Sequence, residues 1–137
     1  MKTIPFNELN SDQIKMIWTW RNNPTVRRWM KNTQEISWQE HLTFFESLKN
    51  KLDKRYWLVF DGGEEIGVVN LHKINKISAE GGLYKDPNLK RAVGSLLIRV
   101  LEAEAEKLGF REIVLEVKND NVRAINLYKK TGYRGYN

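Results

Sequence analysis

The chain has 137 residues, a length that suits one domain built around a single core. It holds no cysteine, which excludes disulfides, thiolate metal sites and cysteine nucleophiles, and its two histidines, His41 and His72, lack ligand spacing, so no metal is expected. The net charge of +6 favours an anionic partner such as a nucleotide or a coenzyme phosphate. The basic residues are scattered, with no aromatic-interleaved stripe, so nucleic acid is not the expected partner. No apolar run reaches membrane-spanning length and Met1–Pro5 lacks a signal-peptide core, which makes a cytoplasmic protein with no membrane partner the expectation.

In chain order, a short first strand precedes Ser11-Asp12-Gln13, which can cap a helix presenting Ile14, Ile17 and Trp18 and ending near Asn22-Asn23-Pro24. Pro24 suits the first turn of a short second helix through Val26, Trp29 and Met30. Ser37-Trp38-Gln39-Glu40 is a capping box, and it opens a helix with Leu42, Phe45 and Leu48 at helical spacing. Tyr56 to Phe60, the turn Asp61-Gly62-Gly63 and Glu65 to Leu71 predict a hairpin. Ser78 to Tyr84 predicts a third strand, ended by Asp86-Pro87. The longest helix is expected from about Ala92 to Leu108, with Val93, Leu96, Leu97, Val100 and Leu101 inward and Gly109 as its C-terminal cap. Glu112 to Val117 alternates like a half-buried strand. A last helix carries Ala124, Leu127 and Tyr128 and stops at Gly132, before the beginning of another strand. Three strands in a row point to an α/β sandwich of the mixed α+β kind around a mixed sheet, not a doubly wound sheet. One domain over residues 1–137 is expected.

Two segments carry chemistry. From Glu80 to Leu97 a strand leads through a loop into a helix, whose free N–H groups and dipole favour an anion. Ala92 and Gly94 would let a pyrophosphate approach that backbone, and Lys90 and Arg91 can add charge. Plain helix initiation is an equally economical reading of this segment alone. The second segment runs from Asn121, a suitable N-cap, to Tyr133. It sets Tyr128 two helical turns along the same face, where a phenol near a sheet edge can give up a proton. By spacing alone, Tyr128 could equally be a packing residue.

Leu89-Lys90-Arg91-Ala92-Val93-Gly94 followed about thirty residues later by Asn121, Ala124, Leu127, Tyr128, Gly132 and Tyr133 resembles the GNAT acetyltransferase superfamily. Its phosphate loop is matched at Gly94, with Ala92 in place of the first glycine and Leu89 in place of the usual polar residue. The later motif is matched throughout, with Tyr133 for Phe. Trp20-Arg21-Asn22-Asn23-Pro24, Met30, Glu40-His41-Leu42, Tyr56 to Phe60, Ile66-Gly67-Val68, Gly82-Leu83-Tyr84 and Pro87 to Lys90 resemble the branch that N-acetylates the 4-amino group of UDP-linked 4-amino-4,6-dideoxy sugars in pseudaminic acid biosynthesis. RimJ/RimL-like acetyltransferases of protein N-termini share part of that pattern.

The resemblance implies a GNAT fold, a central twisted mixed sheet with helices on both faces. It implies direct acetyl transfer from acetyl-CoA, a co-substrate, to a primary amine. Tyr128 inherits the role of general acid, and Glu80 is the first candidate for the base, with a structural or solvent-facing carboxylate as the other reading. Leu83, Tyr84 and Lys85 inherit contacts to the pantetheine arm, with a backbone N–H near Leu83 polarising the thioester. Lys90, Arg91, Ala92, Val93, Gly94 and Ser95 inherit the pyrophosphate loop, and Asn121, Ala124 and Tyr128 complete the coenzyme side. Trp20, Arg21, Asn22, Trp29, Met30 and His41 are the candidates for the acceptor; packing and salt bridges are the other readings of each. A module that binds the coenzyme without turnover stays open as well. The family sheet normally gains two paired strands after the position of Tyr133, so the C-terminal strands are expected to be truncated here, or the edge to be completed by a partner strand in a homodimer.

Overall fold

The structure, a computed structural model, describes residues 1–135. Five strands, β1 (Lys2–Pro5), β2 (Lys54–Asp61), β3 (Glu64–Lys73), β4 (Ser78–Lys85) and β5 (Glu112–Leu115), form one sheet in sequence order. All neighbours are antiparallel except β4 and β5, which are parallel and joined through a helix. The helices are α1 (Ser11–Asn22), α2 (Pro24–Arg27), α3 (Trp38–Leu48), α4 (Gly94–Lys107) and α5 (Val122–Lys130).

Two cores lie on the two faces of this sheet, because alternate strand residues point to opposite sides. On one face Phe6, Ile17, Trp20 and Phe45 pack on Leu58 and Val68 beneath α1 and α3. On the other, Leu97, Val100, Leu101 and Ala105 of α4 pack on Val59, Val69, Leu71 and Ala79. The mixed sheet with helices on both faces is therefore as expected. The β2–β3 hairpin closes through Gly62 and Gly63 at φ 59° and 84°, a pair of positive values that a two-residue turn demands and other residues resist.

The element ends differ from expectation in ways that local hydrogen bonds explain. Asn10, not Ser11, caps α1: its side chain accepts from Gln13 N–H while the Gln13 amide returns the bond. The helix α2 stops at Arg27, leaving Trp29 and Met30 in the following turn. Ser37 and Glu40 do form the capping box of α3, but its inward face is His41 and Phe45, whereas Leu42 is exposed. The longest helix begins at Gly94 rather than Ala92, because Val93 is buried with the core and acts as the N-cap residue. β5 ends at Leu115, two residues before Val117. No strand follows Gly132 through residue 135; the rest of that expectation lies outside the described residues.

Candidate active site

The pairing of β4 with β5 runs from Ser78–Glu112 to Gly81–Leu115 and then stops, while β4 continues to Lys85. Beyond Gly81 that edge of β4 has no strand beside it among the described residues. The next helix, α4, starts close to this opening, and its N-cap residue Val93 makes no side-chain hydrogen bond. The first N–H groups of α4 thus have no side chain to satisfy them, as an anion site requires. Lys85 steadies the approach: its ammonium donates to Leu89 O at 2.7 Å and Arg91 O at 3.2 Å.

The helix α5 lies against this same corner. A Cβ added to Gly94 would stand 2.6 Å from Leu127 Cδ2, so the glycine lets α5 cross the first turn of α4. Asn121 caps α5 by accepting from Ala124 N–H at 3.2 Å. Tyr128, beside Leu127, is partly buried, and burial raises its phenol above the usual range. It is therefore protonated at neutral pH, the form able to donate a proton.

On the other face of β4 stand Glu80, Gly82 and Tyr84. Gly82 is empty for a reason: a Cβ there would collide with Oδ1 of Asn70, the residue directly opposite on β3. Tyr56 of β2 is opposite Asn70, which makes a row Tyr56–Asn70–Gly82 across the sheet. Arg21 of α1 enters above it. One guanidinium nitrogen, Nη2, donates to Asn32 O at 2.9 Å, and the other, Nη1, is buried without a partner among the described residues. Burial lowers the Arg21 pKa, while its charge acts on the half-buried Tyr84 and Tyr56, whose phenols burial pushes up. A guanidinium nitrogen buried without a partner beside two neutral phenols is costly unless a ligand completes it.

Several sequence candidates have other duties. Trp20 is 3% exposed and belongs to the core under α1, so it offers no face to a ligand. His41 is 4% exposed and its Nε2 meets Ile14 O at 2.9 Å, tying α3 to α1 as a neutral ring whose pKa burial lowers. Asn22 clasps the residue before α3: its amide donates to Ile36 O at 2.9 Å and its oxygen accepts from Ile36 N–H at 2.8 Å. Trp29 stacks under the Arg28 guanidinium at 4.7 Å, and Met30 is half-buried beside it. Arg91 turns away from α4 to Asp61 and Glu64, both at 3.1 Å, and fastens the loop to the β2–β3 turn. Lys90 and Ala92 are exposed, Val93 is buried, and Ser95 is half-buried in the first turn. Leu83 packs toward the α4 core while Tyr84 packs toward α1, so adjacent residues serve opposite faces. The residues that sequence reading missed around Glu80 and Gly82 are Asn70, Lys31 and Glu116. Lys31 sits 3.3 Å from both Glu80 and Glu116. Asn70 had one legible signal, its two-residue alternation with Val68 and His72 opposite Gly82. His72 stands opposite Glu80 in the β3–β4 register and faces Asp53 at 3.6 Å. Two surface concavities of about 460 and 470 Å³ lie elsewhere and are lined by none of these residues.

A strand edge that parts from its neighbour and a helix start without a side-chain cap, packed against Leu127 of α5, offer backbone groups to a phosphate-bearing coenzyme. The acetyltransferase (GNAT) family model matches residues 14–133, and the chain belongs to that family. It is an acetyl-CoA-dependent N-acetyltransferase, taking acetyl-CoA as co-substrate and a primary amine as acceptor. Among its relatives is Acetyltransferase PseH of Campylobacter jejuni subsp. jejuni serotype O:23/36 (strain 81-176), 37% identical over 131 residues, which cover 96% of this chain and 83% of the relative. The crystal structure of Campylobacter jejuni N-acetyltransferase PseH in complex with acetyl coenzyme A superposes with a TM-score of 0.82 at 33% identity, covering 99% of this chain and 89% of that one. Spermidine N-acetyltransferase from Vibrio cholerae shares the fold, with a TM-score of 0.85 at 22% identity over 99% of this chain and 82% of that one. No helix among the described residues is long and apolar enough to cross a membrane.

Proposed function

We propose that the acceptor is the 4-amino group of a UDP-linked 4-amino-4,6-dideoxy sugar, the substrate of the pseudaminic acid branch that the sequence resembles. The observation that carries this reading is the half-buried guanidinium of Arg21, whose Nη1 is buried without a partner among the described residues, over the face of β4 that also holds Glu80. A nucleotide diphosphate supplies anionic oxygens for such a cation, and Tyr56, Tyr84 and Asn70 supply hydroxyl and amide groups for a sugar. The resemblance to Acetyltransferase PseH over 96% of this chain supports the same class.

In this reading residues 1–137 act as one domain in the cytoplasm, on small molecules rather than nucleic acid. Acetyl-CoA supplies an activated acetyl group as a thioester. The first-turn N–H groups of α4, at Gly94 and Ser95, hold the pyrophosphate, while Ala92 leaves room for it and Lys90 adds charge. The backbone of Leu83 to Lys85 on the open edge of β4 orients the thioester, its N–H near Leu83 stabilising the oxyanion. Glu80 takes the proton of the attacking amine, directly or through water, and Tyr128 donates a proton to the departing sulfur. Asn121 and Ala124 hold the α5 turn from which Tyr128 projects.

The test compares UDP-linked 4-amino-4,6-dideoxy sugars with amino-terminal peptides at one acetyl-CoA concentration. Efficient turnover of the sugar nucleotide and little of the peptides is expected. Acetylation of peptides alone would move the enzyme to the RimJ/RimL-like class, and acetyl-CoA binding with no turnover of either would leave a coenzyme-binding module.

A further inference from the structure

We infer that the ammonium group of Lys31 occupies the seat that the acceptor's amine takes before reaction, so that Lys31 is an internal competitor that tunes acceptor affinity. The inference rests on the acceptor face assigned above. It deepens that assignment by naming where on the face the amine binds and what already sits there.

Lys31 Nζ lies 3.3 Å from Glu80 Oε1 and 3.3 Å from Glu116 Oε2. These two carboxylates, one on β4 and one just past the end of β5, stand where the strands part. Glu80 is on β4, one residue before the last paired position, and Glu116 follows the last paired residue of β5. The ammonium therefore bridges the mouth of the opening through which an amine must reach a thioester held on β4. A primary amine arrives at neutral pH largely as an ammonium ion, like a lysine side chain. It carries three N–H donors and needs acceptors for them. The protein thus holds, on Glu80, a group of the same charge and donor geometry as the incoming substrate.

The position of Lys31 is built. The segment between α2 and α3 that carries it is fixed by Arg21 Nη2 to Asn32 O at 2.9 Å, Arg27 Nη1 to Thr33 O at 3.0 Å, Trp18 Nε1 to Ile36 O at 2.7 Å and Lys118 Nζ to Arg28 O at 2.9 Å. The backbone is held while the side chain remains 74% exposed, so the ammonium can swing into solvent without leaving a buried charge behind. Exchange of one ammonium for another keeps the net charge between the carboxylates constant. An exposed pair of this kind holds weakly, by up to ~1 kcal/mol, so the tether should cost the acceptor roughly a two- to fivefold rise in apparent dissociation constant rather than block it.

The experiment uses the full chain carrying Lys31→Met, Glu116→Gln or both. Lys31→Met should lower the acceptor KM two- to fivefold while the acetyl-CoA KM stays at its wild-type value. Glu116→Gln should raise the acceptor KM and cancel most of the gain from Lys31→Met in the double variant. Independently of any turnover, n-butylammonium chloride should shift the carboxyl ¹³C resonances of Glu80 and Glu116 at lower concentration in Lys31→Met than in wild type, with sodium chloride as the control. An acceptor KM that is unchanged or rises in Lys31→Met would overturn the inference, the rise meaning that Lys31 binds the acceptor instead. Butylammonium shifts that do not respond to Lys31→Met would overturn it too. If no sugar nucleotide turns over at all, the acceptor assignment fails, while the butylammonium titration still decides the role of Lys31.

Discussion

On the α4 side of β4, Gly81 and Leu83 are packed into the core, and the groups left to meet a ligand are backbone: the free edge beyond Gly81 and the uncapped first turn of α4. On the α1 side, Glu80, Gly82 and Tyr84 meet side chains from α1, β2, β3 and the segment before α3, namely Arg21, Tyr56, Asn70 and Lys31. In the proposed reading the coenzyme is served by backbone, which tolerates changes of side chain, and the acceptor by side chains, which can be exchanged one at a time. The departures at Leu89 and Ala92 fall on the first side, and they leave the N–H groups of α4 in place.

The largest effect expected concerns the corner between the two faces. Tyr128→Phe should lower kcat by roughly 10²- to 10⁴-fold, the range for losing a positioned acid, with acetyl-CoA affinity nearly intact. Wild-type turnover in that variant would make Tyr128 a packing residue like its neighbour Leu127. A second pair of changes compares the faces through their glycines. A Cβ at Gly67 would stand 2.5 Å from the backbone oxygen of Tyr84 and 3.0 Å from Leu97 Cδ1, on the α4 side, where nothing can give way cheaply. Gly67→Ala should destabilise the fold by about 1–3 kcal/mol. At Gly82 the obstacle is the end of the Asn70 side chain, which can rotate away. Gly82→Ala should therefore leave thermal stability close to wild type and raise the acceptor KM, and it should add little once Asn70→Ala is present. Equal loss of stability in both variants would erase the distinction between a core face and a ligand face.

How much of this was legible in the sequence follows the same division. The hairpin at Gly62-Gly63, the capping box at Ser37 and Glu40, and the N-cap at Asn121 are local, and local hydrogen bonds fix them. The Gly94 and Tyr128 motif was legible as a resemblance, although the sequence could not say that Gly94 also makes room for Leu127. Of the residues expected at the acceptor, Arg21 stands over the face of β4 that carries Glu80, whereas Trp20, Asn22 and His41 are engaged in the core and in backbone hydrogen bonds. An aromatic or polar residue beside an Arg reads the same whether it turns outward or inward. Here the helix phase of α1 and α3 turns Trp20 and His41 into the core, and Asn22 is spent on Ile36. Asn70, Lys31 and Glu116 were missed because they converge only through strand register and the course of the segment before α3.

The division of labour across β4 is tested most directly by two-substrate kinetics of Arg21→Ala beside Arg21→Lys. The alanine removes the buried cation, and losing a charged hydrogen bond of about 1.5–3 kcal/mol should raise the acceptor KM roughly 10- to 100-fold, with the acetyl-CoA KM unchanged. The lysine keeps the charge without the planar fork and should fall between the two. A parallel rise in both Michaelis constants, or a rise confined to acetyl-CoA, would contradict the assignment of the Arg21 face to the acceptor.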